Sequence, residues 1–354
     1  MKKLPYLSTV LLGTAVALIG LVQFQFSTSS AAPAPSPDSI MLSATGATFP
    51  YPIYSKWFSD YNKLHPDIEI NYQSLGSGAG IRQLLSGTVD FGASDMPMTD
   101  EQLGQAKTKI LHFPTVLGAV VPTYNIPGLS QELNFTPDAL VGIYLGKITK
   151  WNDPAIAKEN KGVNLPGTDI VVVHRSEGSG TTYVWVDYLS KVSAEWQSKV
   201  GRNSSVNWPV GLGGKGNEEV TGLVKQTPGS IGYVELIYAI QNQIPYGRVR
   251  NSAGVFVKAD LASVTAAAAA FAKSIPEDFR ISITNAPGKA AYPISSFTYL
   301  LIPTRIEDAK KKQVIKNFLT WMLNDGQKAA EPLSYARLPK EVVARELKQI
   351  SLIQ

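Results

Sequence analysis

Residues 171–185 read VVVHRSEGSGTTYVW, which is a run of β-branched residues followed by a small-residue loop and then a mixed apolar stretch. The pattern predicts a strand over 170–174 and a helix over 181–191. A strand end and a helix start are therefore joined by the loop 175–181. Because the first turn of a helix has unpaired N–H groups and a partial positive charge, such a loop is a potential anion cradle.

Two further loops have the same character. GATFP (46–50) precedes a predicted helix over 50–64, and GSGAG (76–80) separates a predicted strand over 68–73 from a helix that begins at Ile81. Glycine allows close approach to the backbone, and serine and threonine hydroxyls add uncharged donors. Each loop alone could be an ordinary turn or helix cap with no binding role. Three together, one of them with an arginine, leave anion binding and a purely structural role as even alternatives.

The rest of the chain alternates short apolar strands with amphipathic helices, which is typical of α/β layers. Further strands are predicted over 40–43, 91–93, 115–123, 231–233 and 293–302. Further helices are predicted over 99–108, 236–240, 264–272 and 307–324. In the last of these helices an aromatic face is interpreted as core packing, with Gly326 as its C-terminal stop.

Composition excludes several classes of function. The chain has 354 residues, of which 44% are hydrophobic and 17% charged, so it can bury a core and is long enough for about two domains. It has no cysteine, which excludes disulfides, thiolate metal sites, a cysteine nucleophile and a lipid attached through cysteine. Three histidines without ligand spacing argue against a metal site. The net charge of +5 is too small to indicate nucleic-acid binding.

The N-terminal segment has the features of a secretory signal. Lys2 and Lys3 precede an apolar run over 7–22, and small residues at 30–32 offer a cleavage site. We therefore predict a signal peptide over 1–32 and a proline-rich linker over 33–41. The alternative is an uncleaved membrane anchor, although the run of about 16 residues is shorter than the roughly 20 that a span needs.

Two charged residues beside these loops suggest how an anion would be held. Arg175 can donate two parallel hydrogen bonds to one oxyanion, or it can form an ion pair with Glu177, and both can hold at once. A carboxylate such as Asp95 repels an anion unless the anion carries a proton. Phosphate keeps a proton near neutral pH and sulfate does not, so Asp95 would select phosphate. The alternative is that Asp95 only caps the turn before Met96.

The glycine-rich stretch 211–216 is not a phosphate-binding P-loop, because the required glycine and serine or threonine are missing. We interpret it as a tight structural loop. Lys215 within it is a candidate for steering an anion.

Several segments resemble a known family closely. They are GATFPYPIYSKW (46–57), YQSLGSGAGIRQ (72–83), VDFGASDMPMTDEQL (89–103), YLGKITKWNDPAIA (144–157), VVVHRSEGSGTTYVW (171–185), WPVGLGGKGN (208–217) and TPGSIGYVE (227–235). These segments are similar to the phosphate-binding subunit of the Pst-type ABC phosphate transporter. The resemblance implies an α/β, type II periplasmic-binding-protein fold, with two α/β lobes joined by a two-strand hinge and the ligand in the cleft.

The resemblance also implies a ligand set. From the first lobe it assigns the Thr48 hydroxyl, the Phe49 N–H, Ser77 and Asp95. From the second lobe it assigns Arg175, Ser179, the Gly180 N–H and Thr181. Glu177 stands where the family pattern has an aspartate beside the arginine, and this departure leaves its supporting role open.

The implied lobes are residues 42–118 with 296–354, and residues 119–295, with hinge crossings near 116–122 and 292–297. The implied protein is a periplasmic, non-catalytic monomer that binds inorganic phosphate and delivers it to the permease subunits of an ABC importer. It is expected to need no cofactor and no metal, to bind no nucleic acid and, lacking cysteine, to be no lipoprotein. The alternatives are a secreted phosphatase-like protein and a surface signalling or adhesion protein. The first would need a nucleophile with a base or a metal pair, and the sequence has no GxSxG motif and no histidine or cysteine cluster.

Overall fold

A computed structural model describes residues 39–354. The predicted signal peptide lies outside these residues, as does most of the predicted linker. The strands are β1 (Ile40–Gly46), β2 (Ile68–Ser74), β3 (Phe91–Ser94), β4 (Ile110–Asn125), β5 (Asn134–Phe135), β6 (Val171–Arg175), β7 (Leu212–Gly214), β8 (Ser230–Glu235), β9 (Arg248–Arg250), β10 (Phe256–Val257) and β11 (Ser295–Pro303). The helices are α1 (Tyr51–Leu64), α2 (Ser77–Ser86), α3 (Asp100–Gly104), α4 (Pro137–Tyr144), α5 (Pro154–Ala157), α6 (Gly180–Val192), α7 (Ala194–Lys199), α8 (Gly216–Gln226), α9 (Leu236–Gln241), α10 (Leu261–Phe271), α11 (Ala309–Leu323) and α12 (Lys340–Gln349). The predicted α/β class is confirmed.

One eight-stranded sheet organises the described chain, in the order β2-β1-β3-β11-β4-β8-β6-β7. Strands β1, β2 and β3 run parallel to one another, as do β6, β7 and β8. The two central strands, β4 and β11, are antiparallel to their neighbours. A small second sheet has the order β10-β9-β5.

Strand β4 joins two halves of this sheet. Its residues 110–119 pair with β11, whereas its residues 120–125 pair with β8. We call β2, β1, β3, β11 and residues 110–119 the first half, and residues 120–125 with β8, β6 and β7 the second half. All but the last residue of β4 are buried, as expected for a long apolar strand inside a sheet that is covered on both faces.

Helix α1 shows how the sequence pattern produces the core. Trp57, Phe58 and Tyr61 lie on one face of α1 and are buried. Phe58 and Tyr61 pack against Phe318 of α11, with ring centroids 5.5 and 5.2 Å apart. The aromatic face of the last predicted helix is therefore core packing, as expected. Gly326 is not its stop, because α11 ends with Asn324 at its C-cap.

Several boundaries differ from the sequence predictions. Helix α2 begins at Ser77 rather than Ile81, so the glycine-rich loop forms its first turn. The helix expected over 99–108 is only the five-residue α3. The stretch 211–216 is not only a loop, since it contains β7 and the first residue of α8. In the described part of the chain, no helix is both long and apolar enough to cross a bilayer.

Candidate binding site

The loops that the sequence indicated lie at the carboxyl ends of β1, β2 and β6, and those of the two halves contact each other. The Gly78 N–H of the first half donates to the Gly178 carbonyl of the second at 2.8 Å. Ligands of open α/β sheets bind outside the carboxyl ends of parallel strands. Strands β1, β2 and β3 run antiparallel to β6 and β8 in this sheet. The carboxyl ends of the two groups therefore face each other where β4 passes between the halves, and the predicted groups lie at this junction.

The first half contributes buried groups from two helix starts. Ser77 is the first residue of α2, and its Oγ accepts a hydrogen bond from the Asp95 N–H at 3.2 Å. Phe49 is fully buried, and its carbonyl accepts from the Tyr335 hydroxyl at 2.6 Å. Its N–H has no acceptor among residues 39–354. Thr48 is also buried, but it does not cap α1, whose N-cap position is occupied by Pro50.

The second half contributes the first turn of α6. Ser179 is the N-cap, and its Oγ accepts from the Thr182 N–H at 3.0 Å. Since this bond uses a lone pair, the hydroxyl hydrogen of Ser179 remains available. Gly180 and Thr181 are the first helical residues, so their N–H groups have no intrahelical partner. All these residues are buried.

Arg175 forms an ion pair with Glu177, which is one of the two interactions expected for it from the sequence. Its Nε donates to Glu177 Oε1 at 3.0 Å, and its Nη2 bonds the same oxygen. The same oxygen accepts from the Gly216 N–H at 3.0 Å. Arg175 Nη1 is buried and has no partner within the described chain. The ion pair therefore orients the guanidinium and leaves one donor free.

Asp95 is the acceptor of this site. Only 1% of it is exposed, and its Oδ1 accepts from the Thr298 hydroxyl at 2.8 Å. Its Oδ2 is buried without a partner in residues 39–354. The interpretation of Asp95 as a turn cap is wrong, because Ser94 Oγ accepts from the Met96 N–H at 3.1 Å instead.

Burial raises the pKa of the Asp95 carboxyl to about 7, although the hydrogen bond from Thr298 and the positive charge of Arg175 oppose the shift. Burying a carboxylate without a hydrogen-bond partner costs free energy. A ligand that donates a hydrogen bond to this group removes that cost.

Glycine is required at position 180 because the two halves approach each other closely there. A Cβ atom on Gly180 would collide with the Asp95 carboxylate and the Ser77 hydroxyl.

The structure brings together all nine residues named from the sequence: Thr48, Phe49, Ser77, Asp95, Arg175, Glu177, Ser179, Gly180 and Thr181.

Further residues that were not anticipated touch this set, and three of them bond Thr48, Thr181 or Asp95. Asn217 bonds both Thr48 and Thr181, Tyr238 donates to the Thr48 carbonyl at 2.6 Å, and Thr298 bonds Asp95. Asn217 follows a glycine at the start of α8, but this helix was not predicted, so the criterion applied to the other three loops did not select Asn217. Thr298 and Tyr238 lie in a strand and a helix without any local signal.

The set offers neutral donors, one guanidinium and two carboxylates, of which Glu177 is paired with Arg175. This combination suits a partly protonated oxyanion. Within residues 39–354, no group of three or more histidine, aspartate or glutamate side chains is arranged to hold a metal ion.

Comparison with known proteins shows the family to which the chain belongs. The model of the PBP superfamily domain matches residues 29–326. The phosphate-binding protein PstS of Xylella fastidiosa (strain Temecula1) is 46% identical over 306 residues, which cover 86% of this chain and 83% of that protein. The chain belongs to the PstS family. PstS of Pasteurella multocida is 45% identical, over 86% of this chain and 88% of its own.

A solved structure shows the same fold. The crystal structure of a phosphate ABC transporter substrate-binding protein with bound phosphate, from Clostridium perfringens, aligns with a TM-score of 0.61 at 20% identity. The alignment covers 85% of this chain and all of that one. The family resemblance and the two-lobe periplasmic-binding-protein fold expected from the sequence are thereby confirmed.

Proposed function

We propose that the protein binds inorganic phosphate with high affinity and delivers it to the membrane permease of an ABC importer. The observation that carries this proposal is a pair of buried, unpartnered atoms, the donor Arg175 Nη1 and the acceptor Asp95 Oδ2. Only a ligand that both accepts and donates hydrogen bonds satisfies the two together. Family membership supports the choice of phosphate, since the PstS relatives are named phosphate-binding proteins.

In this proposal the phosphate oxygens accept from hydroxyls, helix-start amides and the free guanidinium donor. The donors are Thr48, Phe49 N–H, Ser77, Arg175 Nη1, Ser179, Gly180 N–H and Thr181. Uncharged donors at converging helix starts stabilise an anion without a matching number of cations. Glu177 takes no part in the contact and positions Arg175.

Asp95 supplies selectivity. Its Oδ2 accepts a hydrogen bond that a phosphate hydroxyl group donates, a short charge-assisted bond that sulfate cannot form. Sulfate would instead place an aprotic oxygen against a buried carboxylate, and that contact is repulsive.

Binding also closes the cleft. We assign the first lobe to residues 42–118 with 296–354 and the second to residues 119–295, with the hinge at 116–122 and 292–297. The change of partner along β4 between residues 119 and 120 supports the first crossing. Since phosphate contacts both lobes only when they meet, it stabilises the closed form.

We further propose a periplasmic, monomeric and non-catalytic protein, whose closed form is recognised by the permease subunits. The hydrogen bonds of the site hydroxyls argue against a phosphatase. Ser77 and Ser179 accept from backbone N–H groups, and Thr48 and Thr181 from Asn217. In the described chain none of the four is bonded to an imidazole or an amine that would activate it as a nucleophile.

Competition dialysis tests the proposal. Labelled phosphate is equilibrated with the purified protein, and unlabelled phosphate or sulfate is added. We expect phosphate to displace the label and an equal concentration of sulfate to leave it bound. Equal displacement by the two anions would contradict the role of Asp95, and no retained label would contradict phosphate binding itself.

A further inference from the structure

Asn217 connects two hydroxyls of the binding site from opposite halves of the sheet. It is the second residue of α8 and is fully buried. Its Nδ2 donates to Thr48 Oγ1 at 2.8 Å and to Thr181 Oγ1 at 3.2 Å. Thr48 follows β1 in the first half, whereas Thr181 lies in α6 of the second half. One side-chain amide therefore spans the junction.

The orientation of this amide is fixed by its surroundings. Asn217 Oδ1 accepts from the Glu235 N–H at 3.0 Å. Because a rotated amide would point an N–H group at this donor, only one orientation satisfies the bond. The backbone N–H of Asn217 also donates to Thr48 Oγ1, at 3.3 Å. The neighbouring Gly216 N–H holds Glu177 Oε1, so the start of α8 supports both sides of the site.

Counting hydrogens shows what this arrangement imposes on the two threonines. An amide NH₂ carries two hydrogens and no acceptor, so both threonine oxygens must act as acceptors toward Asn217. Each hydroxyl then keeps its own hydrogen for another partner. Among residues 39–354, neither hydroxyl donates to a protein acceptor. The Thr48 and Thr181 O–H groups are thereby left as donors.

We propose that Asn217 is a positioning residue that fixes the Thr48 and Thr181 hydroxyls as hydrogen-bond donors toward the anion. The inference rests on the proposed function and adds a residue that does not itself touch phosphate. It explains how hydroxyls, which can accept as readily as donate, are restricted to donating. By linking the two halves, Asn217 also favours the closed arrangement in which both donors reach one ligand.

Asn217→Asp is the most direct test, because a carboxylate accepts hydrogen bonds where the amide donates. The two hydroxyls would turn toward Asp and withdraw their hydrogens from the ligand. We expect phosphate affinity, measured by isothermal titration calorimetry, to fall by about 100-fold or more. Asn217→Ala adds no charge and frees both hydroxyls to rotate. We expect a fall of about tenfold for it, and it serves as the second variant if the aspartate variant does not fold.

A double-mutant cycle separates positioning from general destabilisation. In a Thr48→Val/Thr181→Val background the hydroxyls are absent, so Asn217→Ala should change phosphate affinity by less than about twofold. The same tenfold loss in both backgrounds would overturn the proposal, as would unchanged affinity in both Asn217 variants.

Asn160→Asp is the matched control. Asn160 is a buried asparagine outside the site, and its Nδ2 donates to the Asn134 and Ile156 carbonyls. This variant should lower the unfolding midpoint without phosphate while leaving phosphate affinity unchanged. If the unmodified protein binds no phosphate, the proposed function fails, and this inference fails with it. If the unmodified protein binds and the Asn217 variants bind equally well, only the inference fails.

Discussion

Asp95 is the acidic residue among the proposed phosphate contacts. Its unpartnered Oδ2 can accept a hydrogen bond from the ligand, whereas the other proposed contacts donate. Replacing it by asparagine removes a charge that repels aprotic anions and supplies an N–H donor. We expect Asp95→Asn to bind sulfate at least about tenfold more tightly than the unmodified protein does. Dialysis with labelled sulfate measures the change. An unaltered ratio of phosphate to sulfate affinity would remove Asp95 from the selectivity mechanism.

The titration of Asp95 predicts that the discrimination between phosphate and sulfate depends on pH. Since burial raises its pKa to about 7, the carboxyl becomes protonated as the pH falls below that value. A neutral carboxyl donates a hydrogen bond and can face an aprotic oxygen. We therefore expect sulfate to compete better at pH 5.5 than at pH 8.5. Asp95→Asn does not titrate and should show no such change, and the same pH dependence in both proteins would contradict the assignment.

At individual residues, the sequence identified the groups on loops better than their partners. Arg175 and Glu177 are two positions apart, so their ion pair follows from local spacing. Thr298 lies 203 positions from Asp95, and only the antiparallel pairing of β11 with β3 brings them together. No local pattern marks a contact of that kind, which is why the turn-cap interpretation of Asp95 was possible.

Helix starts are the elements on which the proposed anion site is built. Helix α6 approaches the first half so closely that position 180 has no room for a side chain. We expect Gly180→Ala to keep the halves apart and to weaken phosphate binding by about tenfold or more, because the added methyl group displaces Asp95 and Ser77. Calorimetric titration of the variant measures this loss.

Gly222→Ala is the control for that substitution. It lies within α8, and a Cβ there would meet no atom within 4 Å. We expect unchanged phosphate affinity and a gain of about 0.5–1 kcal/mol in the free energy of unfolding, because alanine favours the helix. Equal affinity in the Gly180 and Gly222 variants would show that the close approach is not needed for binding.

Some elements could be predicted from their hydrophobic pattern, whereas others with a clear pattern, such as α12, were not predicted. The apolar face of α1 and the buried run of β4 are visible in the sequence. The start of α2 was predicted four residues too late. Its first turn contains the small residues Gly78, Ala79 and Gly80, and the large apolar side chains begin only at Ile81. Helix α8 was missed, and with it Asn217.

The stability of the whole molecule should depend on pH through Glu346 of α12. This carboxyl is completely buried and neither oxygen has a partner in the described chain, so burial raises its pKa well above the usual value. The folded protein therefore retains a proton that the unfolded chain loses above about pH 4.5. The cost of burying this group appears as the pH rises through that value and grows until the folded-state pKa.

Glu346→Gln should remove that dependence. We expect the variant to be more stable than the unmodified protein by about 1–3 kcal/mol at pH 8, and the difference to shrink towards pH 4. Urea unfolding at several pH values measures it. A stability difference that does not vary with pH would show that Glu346 has an ordinary pKa in the folded protein.

At the scale of the whole molecule, the proposed phosphate site draws on both of the lobes that we assign. Strand β4 crosses between the lobes that we assign, the return crossing is assigned to residues 292–297, and the proposed donors are divided between the two lobes. Their convergence at the junction of the two halves depends on sheet order, which no local stretch of sequence specifies. The family resemblance implied the two-lobe fold, and the structure shows the sheet order and the resulting contacts.

Calorimetric titration of orthophosphate into the purified, ligand-stripped protein tests the central claim most directly. We expect a saturable heat of binding with one phosphate per chain, and no comparable heat when sulfate is injected at the same concentration. The absence of any heat of binding with orthophosphate would contradict the proposal that these helix starts, with Arg175 and Asp95, form a phosphate site.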